Sequence, residues 1–172
     1  MVSLSALLSP DNHFRAAAEA ELERLRVQDP TLVATALITA LAAPGVDESE
    51  RAMAAVLSRR LIPSLLPHLP SDAVARVKAG LLEALINYPP DYSASMHRKL
   101  CNTVGRLAAE FHSSGTWPEL SSFVQSACGG ADQHAHATAL TILEHMAPAI
   151  VSAWHGEAVQ ALCVGGLTHQ HP

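Results

Sequence analysis

Apolar residues recur along most of the chain at intervals of three and four rather than in alternation, and turn-forming residues interrupt them at regular places. The turns are Pro44-Gly45, Pro89-Pro90, Ser113-Ser114-Gly115 and Gly129-Gly130. Helices are therefore predicted over Ser3 to Leu8, Pro30 to Ala43, Ser71 to Asn87 and Pro118 to Ala127, each followed by a second helix. A further one is predicted from about Gly156 to Leu167. Asp29, Ser71 and Thr116 stand where N-caps belong, and Pro30 and Pro118 fall in first turns, where a missing N–H costs nothing.

The second helices share a signature: a short polar or acidic residue followed four places later by a basic one. The pairs are Asp11 and Arg15, Asp47 and Arg51, Ser93 and His97, Asp132 and His136, and the basic positions lie 36, 46 and 39 residues apart. That is close to the roughly 40–47 residues of HEAT-type helical pairs. Three places after the basic residue come Ala18, Ala54, Leu100 and Ala139; seven after it Leu22, Ser58, Val104 and Leu143; ten after it Leu25, Leu61, Leu107 and Met146. These offsets mark one helical stripe, a core face with Ser58 as its one polar slot. The prediction is an all-α superhelix, a HEAT-repeat solenoid of four antiparallel pairs (A then B) and an unpaired fifth A helix, with repeats at about 1–28, 29–66, 70–114 and 116–150 and a partial one over 151–172. The last helix offers Ala158, Val159, Ala161, Leu162, Cys163 and Val164 with almost no charge, the opposite of a polar cap. An N-terminal piece of a longer solenoid, or a segment that needs a partner, is the expectation. His97 and His136 replace arginine at the repeat position and are expected to weaken an inter-repeat polar ladder at neutral pH.

Composition agrees with helices stacked closely: 49% of residues are apolar but only 4% aromatic. The net charge of −5 argues against a nucleic-acid-binding protein, yet it hides a pattern, since residues 1–50 carry a net −5, 51–100 a net +4 and 101–172 a net −4. Nine places after the repeat basic position come Arg24, Arg60, Arg106 and His145. Two readings of this row stay open: a track for an acidic partner, or solvated side chains that pair with neighbouring carboxylates. Opposite the core stripe, offsets one, five and eight give Ala16, Ala20 and Glu23; Ala52, Val56 and Arg59; Arg98, Asn102 and Gly105. Small residues there allow a backbone to approach, whether a partner's or that of the next repeat.

Chemistry-bearing motifs are scarce. Cys101, Cys128 and Cys163 lack metal or disulfide spacing and read as reduced thiols within helices. His134 and His136 point about 200° apart on a helix and cannot share one ion, and the pair His169 and His171 lacks further ligands. There is no H-E-x-x-H, G-x-S-x-G or Gly-rich phosphate loop, and Glu19, Glu21 and Glu23 form a solvated helix face. No enzyme, cofactor or metal site is expected. The longest charge-free apolar stretch, Thr31 to Val46, contains Pro44 and Gly45 and is too short for a bilayer span, and Met1 to Leu8 lacks the basic start of a secretory signal.

Several strings together resemble the N-terminal region of the importin-β (karyopherin-β) family, most closely its importin-5-like branch. They are Leu7-Leu8-Ser9-Pro10-Asp11-Asn12, Arg15-x-x-Ala18-Glu19, Arg51-Ala52-Met53-Ala54-Ala55-Val56-Leu57-Ser58-Arg59-Arg60-Leu61, Leu69-Pro70-Ser71-Asp72, Ser95-Met96-His97-Arg98-Lys99-Leu100-Cys101 and Trp117-Pro118-Glu119. The resemblance implies a nuclear transport receptor shuttling between cytoplasm and nucleus through the nuclear pore. In that family N-terminal B helices bind Ran-GTP, later repeats hold protein cargo, and the outer surface meets FG-repeat nucleoporins. The partner-binding candidates on this chain are Glu23, Met53, Arg59, Arg60, Arg98, Asn102 and Arg106. A HEAT scaffold subunit with no GTPase partner shares the period but not the Met53 to Arg60 string.

Overall fold

A computed structural model describes residues 3–88, 93–113, 117–130 and 132–146. Among these, eight α-helices and no strands occur: α1 (Leu4–Leu7), α2 (Asn12–Gln28), α3 (Pro30–Ala42), α4 (Glu48–Leu65), α5 (Ser71–Ile86), α6 (Ala94–Ser113), α7 (Pro118–Gly129) and α8 (Gln133–His145). They fall into four successive pairs, the short α1 serving as the first A helix. The expected fifth A helix and the turn Pro89-Pro90 lie outside the described residues.

The polar half of the repeat signature is a set of N-caps. The Asp11 carboxylate accepts the His13 N–H at 2.7 Å, Asp47 accepts that of Ser49 at 2.8 Å, the Ser93 hydroxyl accepts that of Met96 at 3.1 Å, and Asp132 accepts that of His134 at 2.9 Å. Each satisfies a backbone donor that the helix cannot. The Ser49 N–H in turn holds the Asp47 carboxyl below its ordinary pKa. Among the A helices, Asp29 caps α3 through the Leu32 N–H at 2.9 Å with Pro30 in the first turn. Ser71 does not cap α5. The cap there is Pro70, whose carbonyl receives the N–H groups of Ala73 and Val74, so Ser71 is already the first helical residue. Trp117 occupies the cap position of α7 without a side-chain bond, and Thr116 lies outside the described residues. Between α3 and α4 the chain turns through Gly45 at φ +74°, a conformation that glycine adopts without strain.

The basic half of the signature works backwards along the chain. Arg51, only 2% exposed, donates Nη1 to the Leu41 carbonyl and Nη2 to the Ala43 carbonyl at 2.7 Å, at the C-terminal end of α3. Arg15 does the same one pair earlier, reaching the Ser9 carbonyl beyond α1 at 3.1 Å and the Asn12 side chain. Terminal carbonyls of a helix lack intrahelical donors and carry its negative dipole end, so a guanidinium answers both needs. In the first two pairs the polar contact anticipated between repeats is therefore a clamp within the pair. In the third pair, Tyr88 beyond α5 donates its hydroxyl to the Ser93 carbonyl at 2.8 Å, and its ring meets that of His97 edge-on at 5.0 Å. In the fourth, the buried Nε2 of His136 has no hydrogen-bond partner.

The core stripe is laid out as the spacing predicts, since none of its twelve positions is exposed. Ser58 is fully buried with its hydroxyl unbonded, and so acts as a small space-filler. The packing divides into two compact units, Met1–Thr103 and Val104–Pro172, the cut falling inside α6. In the first, α3 touches α2, α4 and α5 and buries Val33, Ala34, Leu37, Ile38 and Leu41. Each fully buried leucine contributes about 1.5–3 kcal/mol. Gly80 lets α5 meet α3, for a Cβ there would stand 2.3 Å from Ile38 Cγ2. Successive B helices are tied by polar bonds: Ser93 donates to the Glu48 carboxylate, and the buried Thr103 hydroxyl is shared between the Lys99 carbonyl of its own helix at 2.8 Å and the Ala55 carbonyl at 3.1 Å. In the second unit, Phe111 and Trp117 meet edge to face at 5.3 Å, and a Cβ on Gly105 would stand 2.5 Å from the Ile142 carbonyl of α8.

Removing the clamp by Arg51→Ala leaves the Leu41 and Ala43 carbonyls without their charged donor, and is expected to lower unfolding free energy by about 2–3 kcal/mol in urea titration. His136→Arg is expected to raise the thermal midpoint by replacing a buried, unbonded ring nitrogen with the guanidinium that Arg15 and Arg51 use at this repeat position. Burial pushes the Cys101 thiol from 9.0 up to about 12 and, with help from Glu48, the Tyr88 hydroxyl from 10.0 up to about 12. Both raised values favour the neutral form in the fold, so this stability is fully present below the unfolded values of 9.0 and 10.0 and is lost as pH rises towards about 12. The urea midpoint is expected to fall above pH 9, less so in Cys101→Ala, and native Cys101 to resist alkylation at neutral pH.

Candidate functional site

The faces next to the core stripe carry polar chemistry in the first unit. On α2, Ala16, Ala20 and Glu23 are exposed; on α4, Val56, Arg59 and Arg60 are exposed while Ala52 and Met53 are half-buried; on α6, Arg98 is exposed and Asn102 half-buried. Arg59 Nη1 donates to Asn102 Oδ1 at 2.7 Å, so α4 and α6 share this face directly. Arg98 stands one turn before Asn102 on the same side of α6.

The remaining candidates sit differently. Glu23 accepts from Arg26 on its own helix, at 2.8 Å to Nε and 2.5 Å to Nη2, which holds its carboxyl below the ordinary pKa with a smaller contribution from Arg60. Arg106 is exposed but belongs to the second unit. Gly105 is no part of an open wall: it is buried, and the backbone that it admits is that of α8.

The residues nine places after the repeat basic position differ in their surroundings. Arg24 is held by Glu21 through Nε and Nη2, both at 2.7 Å, and by Gln28, which raises the arginine's pKa and lowers the glutamate's. This first member of the row is therefore already neutralised by a helical neighbour. His145 is half-buried, against the Cβ position of Gly105.

Sequence reasoning missed a groove of about 360 Å³ between α3 and α5, floored by Ile38, Ala42, Val77 and Gly80 and edged by Arg76 and Glu83. Its signal was Gly80 within an otherwise Ala- and Leu-rich helix, where the backbone of α5 lies against Ile38 of α3. Other chemistry is sparse among the described residues. No group of three or more His, Cys, Asp or Glu could hold a metal ion, and no helix is long and apolar enough to cross a membrane. Glu19 lies 4.0 Å from Arg15. His169 and His171 fall outside the described residues.

No known family profile matches the sequence. Among solved structures, a chain of a Kap95:Nup1 complex superposes with a TM-score of 0.78 over 95% of this chain at 19% sequence identity. The fold is thus that of a karyopherin HEAT-repeat solenoid of the importin-β type. The chain spans 21% of the length of that structure.

Proposed function

We propose that this chain is the N-terminal part of a nuclear transport receptor of the importin type, which binds Ran-GTP through the B-helix faces of α2, α4 and α6. The observation that supports it most is the continuity of the likeness, which runs over 95% of the chain rather than over one or two helical pairs. The exposed set of Arg59, Arg60, Arg98 and Asn102 supplies donors suited to a polar protein surface, with Glu23 and Met53 at its edge and Arg106 as a further candidate in the second unit. In this reading the chain catalyses nothing. It works by coupling: GTPase binding at these repeats changes the affinity of further repeats for protein cargo.

The A helices are assigned to the other task of such a receptor. A nucleoporin is present in the Kap95:Nup1 structure, and the apolar groove between α3 and α5 gives FG-repeat nucleoporins a place on the A-helix side here. Shuttling between cytoplasm and nucleus follows from the same reading.

The test is capture of purified Ran on the immobilised chain, loaded either with a non-hydrolysable GTP analogue or with GDP. The expected result is tighter binding of the GTP form by about tenfold or more, the equivalent of about 1.4 kcal/mol. Equal binding, or none, overturns the reading in favour of a HEAT-repeat scaffold without a GTPase partner.

A further inference from the structure

An accounting of the arginines sets four of them apart. Arg15, Arg24, Arg26 and Arg76 each lie within 4.0 Å of a carboxylate three or four residues away on their own helix, and Arg51 is spent on the end of α3. Arg59, Arg60, Arg98 and Arg106 have no carboxylate within that distance among the described residues, and all four are exposed; of these, Arg59 is bonded to Asn102 and Arg98 stands one turn from it. On α2 and α5 the arginines are neutralised by carboxylates of their own helix; on the face shared by α4 and α6 they are not.

The geometry adds order to that charge. Asn102 Oδ1 takes one donor of Arg59 at 2.7 Å, which fixes the guanidinium between the two helices and leaves its other donors for an incoming group. A cation held in place before binding loses less side-chain freedom when it binds. Arg98 stands one turn before Asn102 on α6. Val56, 41% exposed, and the half-buried Ala52 lie one and two turns before Arg59 on α4 and floor the site with aliphatic surface.

We infer that Arg59, Asn102 and Arg98, over the Val56 and Ala52 floor, form a receptor for a carboxylate-bearing segment of a protein partner. A planar guanidinium takes a carboxylate through two parallel bonds, and the aliphatic floor suits the apolar side chain beside it. A nucleic acid fits less well, because this face has no aromatic ring on which a base could stack and the chain's net charge is −5. The inference deepens the transport reading, and rests on it for the partner's identity, since it makes an acidic segment of that partner the element docked between α4 and α6.

The experiment is a titration of the isotope-labelled chain at low salt with a short peptide alternating Glu and Leu, its Gln and Leu counterpart, and oligothymidylate. The readout is the Nε–H signals of the arginines and the side-chain amide of Asn102. The Glu peptide is expected to shift Arg59, Arg98 and Asn102 while Arg24, Arg26 and Arg76 stay in place. The exposed double variant Arg59→Gln/Arg98→Gln is expected to weaken its binding about tenfold with an unchanged helical spectrum. Equal binding of the Gln peptide, shifts centred on the paired arginines, or preference for oligothymidylate overturns the site. Ran-GTP binding that survives the double variant unchanged overturns its assignment to that partner, whereas a Glu peptide that binds as expected beside a Ran that does not overturns the transport reading alone.

Discussion

A helix that ends inside a protein must find donors for its last carbonyls, and in this chain the next helix provides them from its own first turn. Arg51 is the clearest instance: it is almost completely buried, and it donates to two carbonyls at the end of α3. The N-cap Asp47 stands four residues earlier, so one helical turn both starts α4 and closes the helix before it. Pairing of A with B is thus written into the openings of α2 and α4, and the stripe three, seven and ten places further on is turned towards the core by the same act. Where histidine replaces arginine the closure changes. Tyr88 supplies a hydroxyl from the other side in the third pair, and His136 keeps a buried nitrogen without a partner in the fourth.

The exposed B-helix face follows from this constraint. With one side of α4 committed to the clamp and the core, the residues at the adjoining offsets are left outside, and Arg59 reaches sideways to Asn102 on α6. The bonds from Ser93 to Glu48 and from Thr103 to Ala55 hold these two helices in step. The proposed contact site is therefore a by-product of how the pairs close, and its charge is available because no neighbouring carboxylate lies within ion-pair distance. On α2 and α5 the same helical spacing puts a glutamate or an aspartate beside each arginine instead.

Much of this was legible before any coordinates. The Asp11, Asp47, Ser93 and Asp132 caps, the buried stripe and the helix pairs follow from local spacing, because caps and amphipathic faces depend on residues within one or two turns. What the spacing could not say is where long side chains end. Arg15 and Arg51 look like members of a ladder between repeats until their reach back to Ser9, Leu41 and Ala43 is seen. Arg24 and Arg59 are indistinguishable as surface arginines, though one is held by Glu21 and the other by Asn102 from a helix 43 residues on. Gly105 reads as an opening for a partner, but the backbone that fills it is in the same chain. In each case the deciding neighbour is distant in sequence or the choice among near neighbours depends on a rotamer.

A structure of the chain bound to Ran-GTP is the most direct test of the central claim, that closure of the helix pairs leaves the α4 and α6 faces as the partner surface. The account predicts contacts on Arg59, Asn102 and Arg98, with the Arg51 clamp undisturbed beneath them. A complex whose contacts lie on α3 and α5, with the α4 and α6 faces left in solvent, would contradict it.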